Sequence, residues 1–250
     1  MGIDFRIKNN NSNKIFYFTH QGLGDLISCS SIVNYICEKY KDHTIYILCD
    51  SQKKYNTIHN LFKFKNVELF IPEKWKSKLG CNVDGSVKYI KKVAKENNAS
   101  LIVSGCDRYT NDQKKYWDYS FYESISLNYD IKYEYFFINY DKDKRERSFN
   151  EITEGIPYIF VHDDPSRGRN INFKNKNSLK VVKNDMNYTV FDYIDVIKNA
   201  KECHMMGSSL LCLIDFFELD FENCNYYFYD FRGSNVNFKG KERWIQVKLK

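Results

Sequence analysis

The sequence predicts an α/β chain made of two Rossmann-like domains that face one another across a cleft. Three observations carry that class. Short apolar runs of strand length alternate with amphipathic stretches of helix length, the alternation lapses mid-chain and then restarts, and polar or glycine-bearing loops follow several of the apolar runs directly. At 250 residues there is room for two units, each of about 100–150 residues. The division is placed between 1–140 and 141–250.

The first unit opens on Ile15-Phe16-Tyr17-Phe18, an apolar run that reads as a buried strand. It passes into the turn His20-Gln21-Gly22-Leu23-Gly24-Asp25, after which Leu26, Ile27, Ser30, Ile32, Val33 and Ile36 recur at the spacing of a single helix. Gly22 and Gly24 would let the backbone pass close to a ligand, and the helix start offers free amide donors. Two roles are open to Asp25: a cap on the helix, or a base at the mouth of a site. His20 is open to a structural hydrogen bond or to work beside that base.

Thr44 to Cys49 is the next strand, and Lys53 to Phe64 reads as a helix with Tyr55, Ile58, Leu61 and Phe62 on one face. Val67 to Ile71 is a third strand closed by Pro72, Asp84 to Asn97 an amphipathic helix, and Leu101 to Val103 a fourth strand before Gly105. Such alternation argues for a parallel sheet with right-handed crossovers. Trp117 to Tyr129 reads as an aromatic helix and Phe136 to Ile138 as a short extended piece. Lys142 to Ser148, the most charged stretch, reads as a solvated connection between the domains.

The second unit restarts with the strand Tyr158 to Val161, followed at once by His162-Asp163-Asp164-Pro165-Ser166-Arg167-Gly168-Arg169. A guanidinium suits forked, charge-assisted bonds to a diphosphate. Arg167 and Arg169 are candidates for that contact, with His162, Asp164 and Ser166 beside them. The competing reading is an exposed turn with local Arg–Asp pairs. Leu179 to Val182 is a strand, Val190 to Asn199 a helix, and Glu202 to Met206 a short strand. Gly207-Ser208-Ser209 then leads into the apolar helix Leu210 to Phe217. Ser208 and Ser209 would meet a phosphate at that helix start, or serve only as caps. Tyr226 to Asp230 and Trp244 to Val247 finish the sheet.

Composition excludes several classes. The net charge of +6 is modest and acids run through the whole chain, so nothing resembles a nucleic-acid footprint. The 20 tyrosines and 19 phenylalanines are read as core rather than as base-stacking platforms. The eight cysteines form no CxxC pair and no zinc spacing, so no metal site is expected. Several, such as Cys37, Cys49 and Cys212, sit in apolar runs as reduced thiols do, which points to a reducing, cytoplasmic setting. No apolar run reaches the ~18 residues of a membrane span, and the amino-terminal stretch has no apolar signal core. GxSxG, the P-loop and HExxH are absent, and GLGD falls short of GxGxxG, which weighs against hydrolases, NTPases and dehydrogenases.

With these loops in place, the chain resembles glycosyltransferases of the two-Rossmann GT-B architecture. HQGLGDLISCSSIVNYI is similar to the GxGD turn and following helix of heptosyltransferase-like enzymes, and AKECHMMGSSLLCLIDFFE resembles the donor-domain strand–Ser–helix element they share with fucosyltransferase-like families. YIFVHDDPSRGR stands where fucosyltransferase-like enzymes carry a strand and an arginine-bearing loop, without their HxRxGD pattern. The resemblance implies an acceptor-side first domain with Asp25 as general base, aided by His20. It implies a donor-side second domain in which Ser208 and Ser209 meet the donor phosphates. The implied reaction is metal-independent transfer of a sugar from a nucleotide-sugar to a hydroxyl of a glycan or another acceptor, with no cofactor beyond the nucleotide-diphosphate sugar itself. A sugar-nucleotide epimerase of the same fold and a non-catalytic binding module remain as alternatives.

Overall fold

A computed structural model describes residues 3–72, 86–106, 116–176, 178–231 and 237–248. The chain divides into two compact units, Met1–Asn139 and Tyr140–Lys250.

In the first unit, β1 (Lys14–Phe18) leads into α1 (Leu23–Ser28) and α2 (Ser30–Lys39), then β2 (Thr44–Leu48), α3 (Gln52–Ile58) and β3 (Val67–Phe70). After α4 (Ser86–Glu96) and β4 (Ser100–Val103) come the short helices α5 (Tyr119–Glu123) and α6 (Ile131–Glu134). The four strands form one sheet in the order β3-β2-β1-β4, and every pairing is parallel. Residues Ile15 to Phe18 of β1 are all buried, as a central strand covered on both faces requires. On one face α4 packs Ile90, Val93 and Ala94 against Phe16, Phe18, Leu101 and Val103, while Lys88, Lys92 and Lys95 point outward. Asp84 and Gly85, expected to begin this helix, lie outside the described residues.

Two expectations fail here. The helix after the glycine turn is interrupted at Cys29, because hydroxyls take over its backbone groups: Ser30 Oγ donates to Ile27 O and Tyr122 OH donates to Ser28 O. The aromatic helix is also far shorter than Trp117 to Tyr129. It ends after five residues, with Ser126 in the left-handed region at φ 59°. Beneath this segment the fully buried Lys132 ammonium pairs with Asp118 at 2.7 Å and donates to Tyr129 OH, whose own proton goes to Asp118.

The second unit contains α7 (Lys142–Thr153), β5 (Tyr158–Val161), β6 (Lys180–Lys183), α8 (Tyr193–Lys198), β7 (Glu202–Met206), α9 (Ser209–Ile214), β8 (Asn225–Tyr229) and β9 (Ile245–Val247). Its sheet is again wholly parallel, in the order β6-β5-β7-β8-β9. The charged stretch expected to be a solvated connection is instead α7. Asp141 caps it by accepting from Asp143 N and Lys144 N, and Glu154 ends it in the left-handed region. The helix is held to α8 by a forked Arg145–Asp195 pair and by Ser148 Oγ donating to Asp192. One face of this sheet is covered by irregular chain rather than by a helix: Ile171 and Phe173 pack onto Ile159, Val161, Met206 and Tyr229.

Among the described residues no helix is long and apolar enough to cross a membrane. Cys29, Cys37, Cys49, Cys203, Cys212 and Cys224 are free thiols, whereas Cys106 is disulfide-bonded, a departure from the expected thiol-only pattern.

Candidate functional site

In open parallel sheets ligands bind beyond the carboxyl ends of the strands, where the strand order reverses. In the first unit that reversal lies between β1 and β4. Two hydrogen bonds cross it. Thr19 Oγ1 donates to Ser104 O at 3.1 Å, and His20 Nε2 donates to Gly105 O at 3.0 Å. His20 therefore carries a structural bond that fixes its ring. Glycine is favoured at position 105 in two ways: its φ of 73° is left-handed, and a Cβ would overlap the Phe121 ring.

Asp25 stands in the first turn of α1, half-exposed, but it is not the cap. Gly22 is the N-cap residue, in extended backbone that any residue adopts (φ −68°, ψ 141°). What glycine supplies at position 22 is space, since a Cβ there would collide with the Asp25 carboxylate. The carboxylate is thus folded back toward the start of α1. Gly24 lies in the first turn of α1 rather than in the loop before it. Three residues that sequence reasoning passed over hold this loop. Gln21 Nε2 donates to Thr19 O and Leu48 O, and its Oε1 accepts from Asp50 N. Lys54 Nζ then donates to Gln21 O and pairs with Asp50, both at 2.6 Å.

In the second unit the reversal lies between β5 and β7, and the two loops named from sequence are the ones that flank it. They are joined. Ser208, the N-cap of α9, accepts from Leu211 N and sits 3.3 Å from His162 Nδ1. Ser208 Oγ can take the helix amide proton on one lone pair and still hydrogen-bond the ring nitrogen, so it ties the cap of α9 to His162. Burial pushes the His162 pKa down to about 4 despite the opposing pull of Asp164 and Asp163, so the ring is neutral. Ser209 begins a helix of six residues.

The arginine loop has a clamp at each end. Asp163 is buried; its carboxylate accepts from Ile171 N at 2.7 Å and from Lys183 Nζ at 2.6 Å. Asn184 bonds both backbone groups of Asp163. Between the clamps, Asp164 pairs its backbone with Arg169 and its carboxylate with Arg167 at 3.4 Å. Arg167 is thus partly engaged locally, as the competing reading expects, whereas the half-exposed Arg169 has no ion pair among the described residues. The Ser166 side chain lies outside the described residues. His204, in the middle of β7, is buried in an aromatic box. It stacks on Tyr227 and Phe173, with Nδ1 2.9 Å from Tyr229 OH.

No family model and no curated protein matches the chain. Solved structures do. A family 9 glycosyl transferase from Veillonella parvula aligns over 97% of this chain and 87% of its own, at 11% identity and a TM-score of 0.50. The iron-containing dodecameric glycosyltransferase TibC from enterotoxigenic E. coli aligns over 95% of this chain and 64% of its own (9% identity, TM-score 0.50). TibC in complex with ADP-D-β-D-heptose aligns over 98% and 64% (9% identity, TM-score 0.52). The fold is that of the GT-B glycosyltransferases. This chain spans less than two thirds of the TibC chain. The iron belongs to TibC: among the described residues no three His, Cys, Asp or Glu side chains converge as ligands.

Proposed function

We propose that the chain is a glycosyltransferase that moves a sugar from a nucleotide-diphosphate sugar to an acceptor hydroxyl without a metal. Asp25 takes the proton of the acceptor hydroxyl as general base. His20, its ring fixed by the bond from Nε2 to Gly105 O, aids Asp25 by orienting the acceptor hydroxyl. In the second unit Arg169, assisted by Arg167, carries the charge of the departing diphosphate. Neutral His162 adds a hydrogen-bonding ring without charge, while the amides beside Ser208 and Ser209 complete the cradle. Charge held in place before the reaction does the work a metal would otherwise do. The observation that carries this reading is the position of Arg169: a guanidinium without an ion pair among the described residues, on a doubly clamped loop at the strand-order reversal of a GT-B fold.

The test is a thermal-shift panel of nucleotide diphosphates and their sugars in EDTA, followed by transfer assays with the stabilising donor. ADP and ADP-heptose enter first because TibC is found with the latter. A ligand that binds only the folded state raises Tm by mass action. Arg169→Ala should abolish the shift while changing ligand-free stability by no more than about 0.5 kcal/mol, the usual range for a surface side chain with no ion pair among the described residues. Asp25→Asn should keep the shift and lose transfer by a factor on the order of 10²–10⁴. Release of an altered nucleotide-sugar without acceptor would point to an epimerase. Absence of any shift at millimolar nucleotide would overturn the donor site itself.

A further inference from the structure

The first unit holds a cavity of about 430 Å³ that plays no part in the transferase reading. Its walls come from Glu38 at the end of α2, Phe64 in the loop before β3, and Glu134, Tyr135, Phe136 and Phe137 at the end of α6. Topology places it away from Asp25. α2 starts beyond the carboxyl end of β1 and finishes just before β2 begins, and Phe64 directly precedes β3. The cavity therefore lies at the amino-terminal edge of the sheet, opposite the edge where the β1 loop emerges.

The cavity is built rather than incidental. Asn34, fully buried beneath it, donates to Leu61 O and Tyr135 O and accepts from Lys63 N, which ties three of its walls together. Tyr135 OH donates to Glu38 at 3.2 Å and aims that carboxylate. All four aromatic side chains lining it are half-exposed, so each keeps part of its surface open to a ligand. The volume falls within the roughly 300–1,000 Å³ of small-molecule sites.

The chemistry of the walls selects the ligand's charge. Two carboxylates face one lysine, which disfavours anions. Aromatic faces attract cations through their quadrupole. The protein already uses one wall in this way: the Lys63 ammonium stands 5.7 Å from the centre of the Phe64 ring. We propose that this cavity binds a small organic cation of the alkylammonium class, held against the aromatic faces and neutralised by Glu38 and Glu134.

Choline and its neutral isostere 3,3-dimethylbutan-1-ol are the probes, read by saturation-transfer NMR on the full chain. The two have nearly the same shape, so their difference reports charge recognition alone. Choline should bind saturably below about 10 mM. The isostere should bind at least about tenfold more weakly, the range of a partly desolvated cation–π contact with an added carboxylate. Glu134→Gln, an exposed position whose change leaves the fold intact, should weaken choline several-fold and leave the isostere unchanged. Phe64→Ala should weaken both. Equal binding of the two probes would overturn the proposal, as would choline binding untouched by Glu134→Gln or no saturable choline signal.

Discussion

His162 gives the second unit a defined weakness to acid. Burial pushes its pKa from 6.5 down to about 4, outweighing the pull of Asp164 and Asp163. In the unfolded chain the ring titrates near its ordinary value, so between the two values the unfolded state binds the extra proton. Stability is therefore fully present above about pH 6.5 and is lost as pH falls toward the folded value. Linkage puts the loss at about 2 kcal/mol by pH 5 and about 3 kcal/mol by pH 4, relative to neutral pH. His162→Asn removes the titration while keeping an amide near the Nδ1 position to meet Ser208. Urea unfolding of both proteins across this range isolates the effect, because His204, also held low by burial against the pull of Glu202, is common to both. The advantage of the wild type over the variant should shrink by about 2 kcal/mol between neutral pH and pH 5. A difference that stays constant with pH would refute the reasoning, as would an NMR titration of His162 with a midpoint at or above about 6.

The buried pair in the first unit makes a complementary prediction. Lys132→Met leaves the Asp118 charge buried with only Tyr129 OH as partner, and should cost about 3–5 kcal/mol in urea unfolding. Adding Asp118→Asn should recover most of that loss. Gly105→Ala should cost about 1–3 kcal/mol, because it combines a left-handed backbone with a clash. Thermal melts with and without Phe121→Ala separate the two contributions, since only the clash is relieved when the ring is removed. Asp163→Asn keeps the bond from Ile171 N but breaks the Lys183 ion pair. It should raise donor KM with little change in kcat, measured in the assay that tests Asp25→Asn.

Strands and loops were legible from the sequence for the same reason: a parallel strand buried on both faces must be continuously apolar, so its carboxyl end shows as an abrupt turn to polar residues. Phe18-Thr19-His20 and Val161-His162-Asp163 both have that form. Helix limits were harder to read. The Ser28–Ser31 stretch looks helical by spacing, but its interruption depends on Tyr122, remote in sequence and brought near only by folding. Lys142 to Ser148 read as solvated because its charge hid a cap at Asp141 and partners on α8. Asp163, Lys183 and Asn184 carried no motif either, since their meaning lies in a clamp between β5 and β6 that spans about twenty residues of sequence.

Those hidden contacts bear on chemistry as well as on folding. A guanidinium stabilises a leaving diphosphate only if it need not reorganise when charge develops. Ion pairing within the loop would hold Arg169 still but would also spend its charge. The structure avoids that conflict by fixing the loop through groups other than Arg169's own head: the buried Asp163 carboxylate, the Asn184 amide and the backbone bridge to Asp164. The first unit treats its loop alike, since Gln21, Lys54 and Asp50 bond one another and the backbone while the Asp25 carboxylate lies in the space beside Gly22 that a side chain there would make it leave. In both units rigidity comes from residues that carry no motif, which is why a motif search names the candidate side chains and misses what holds their loops.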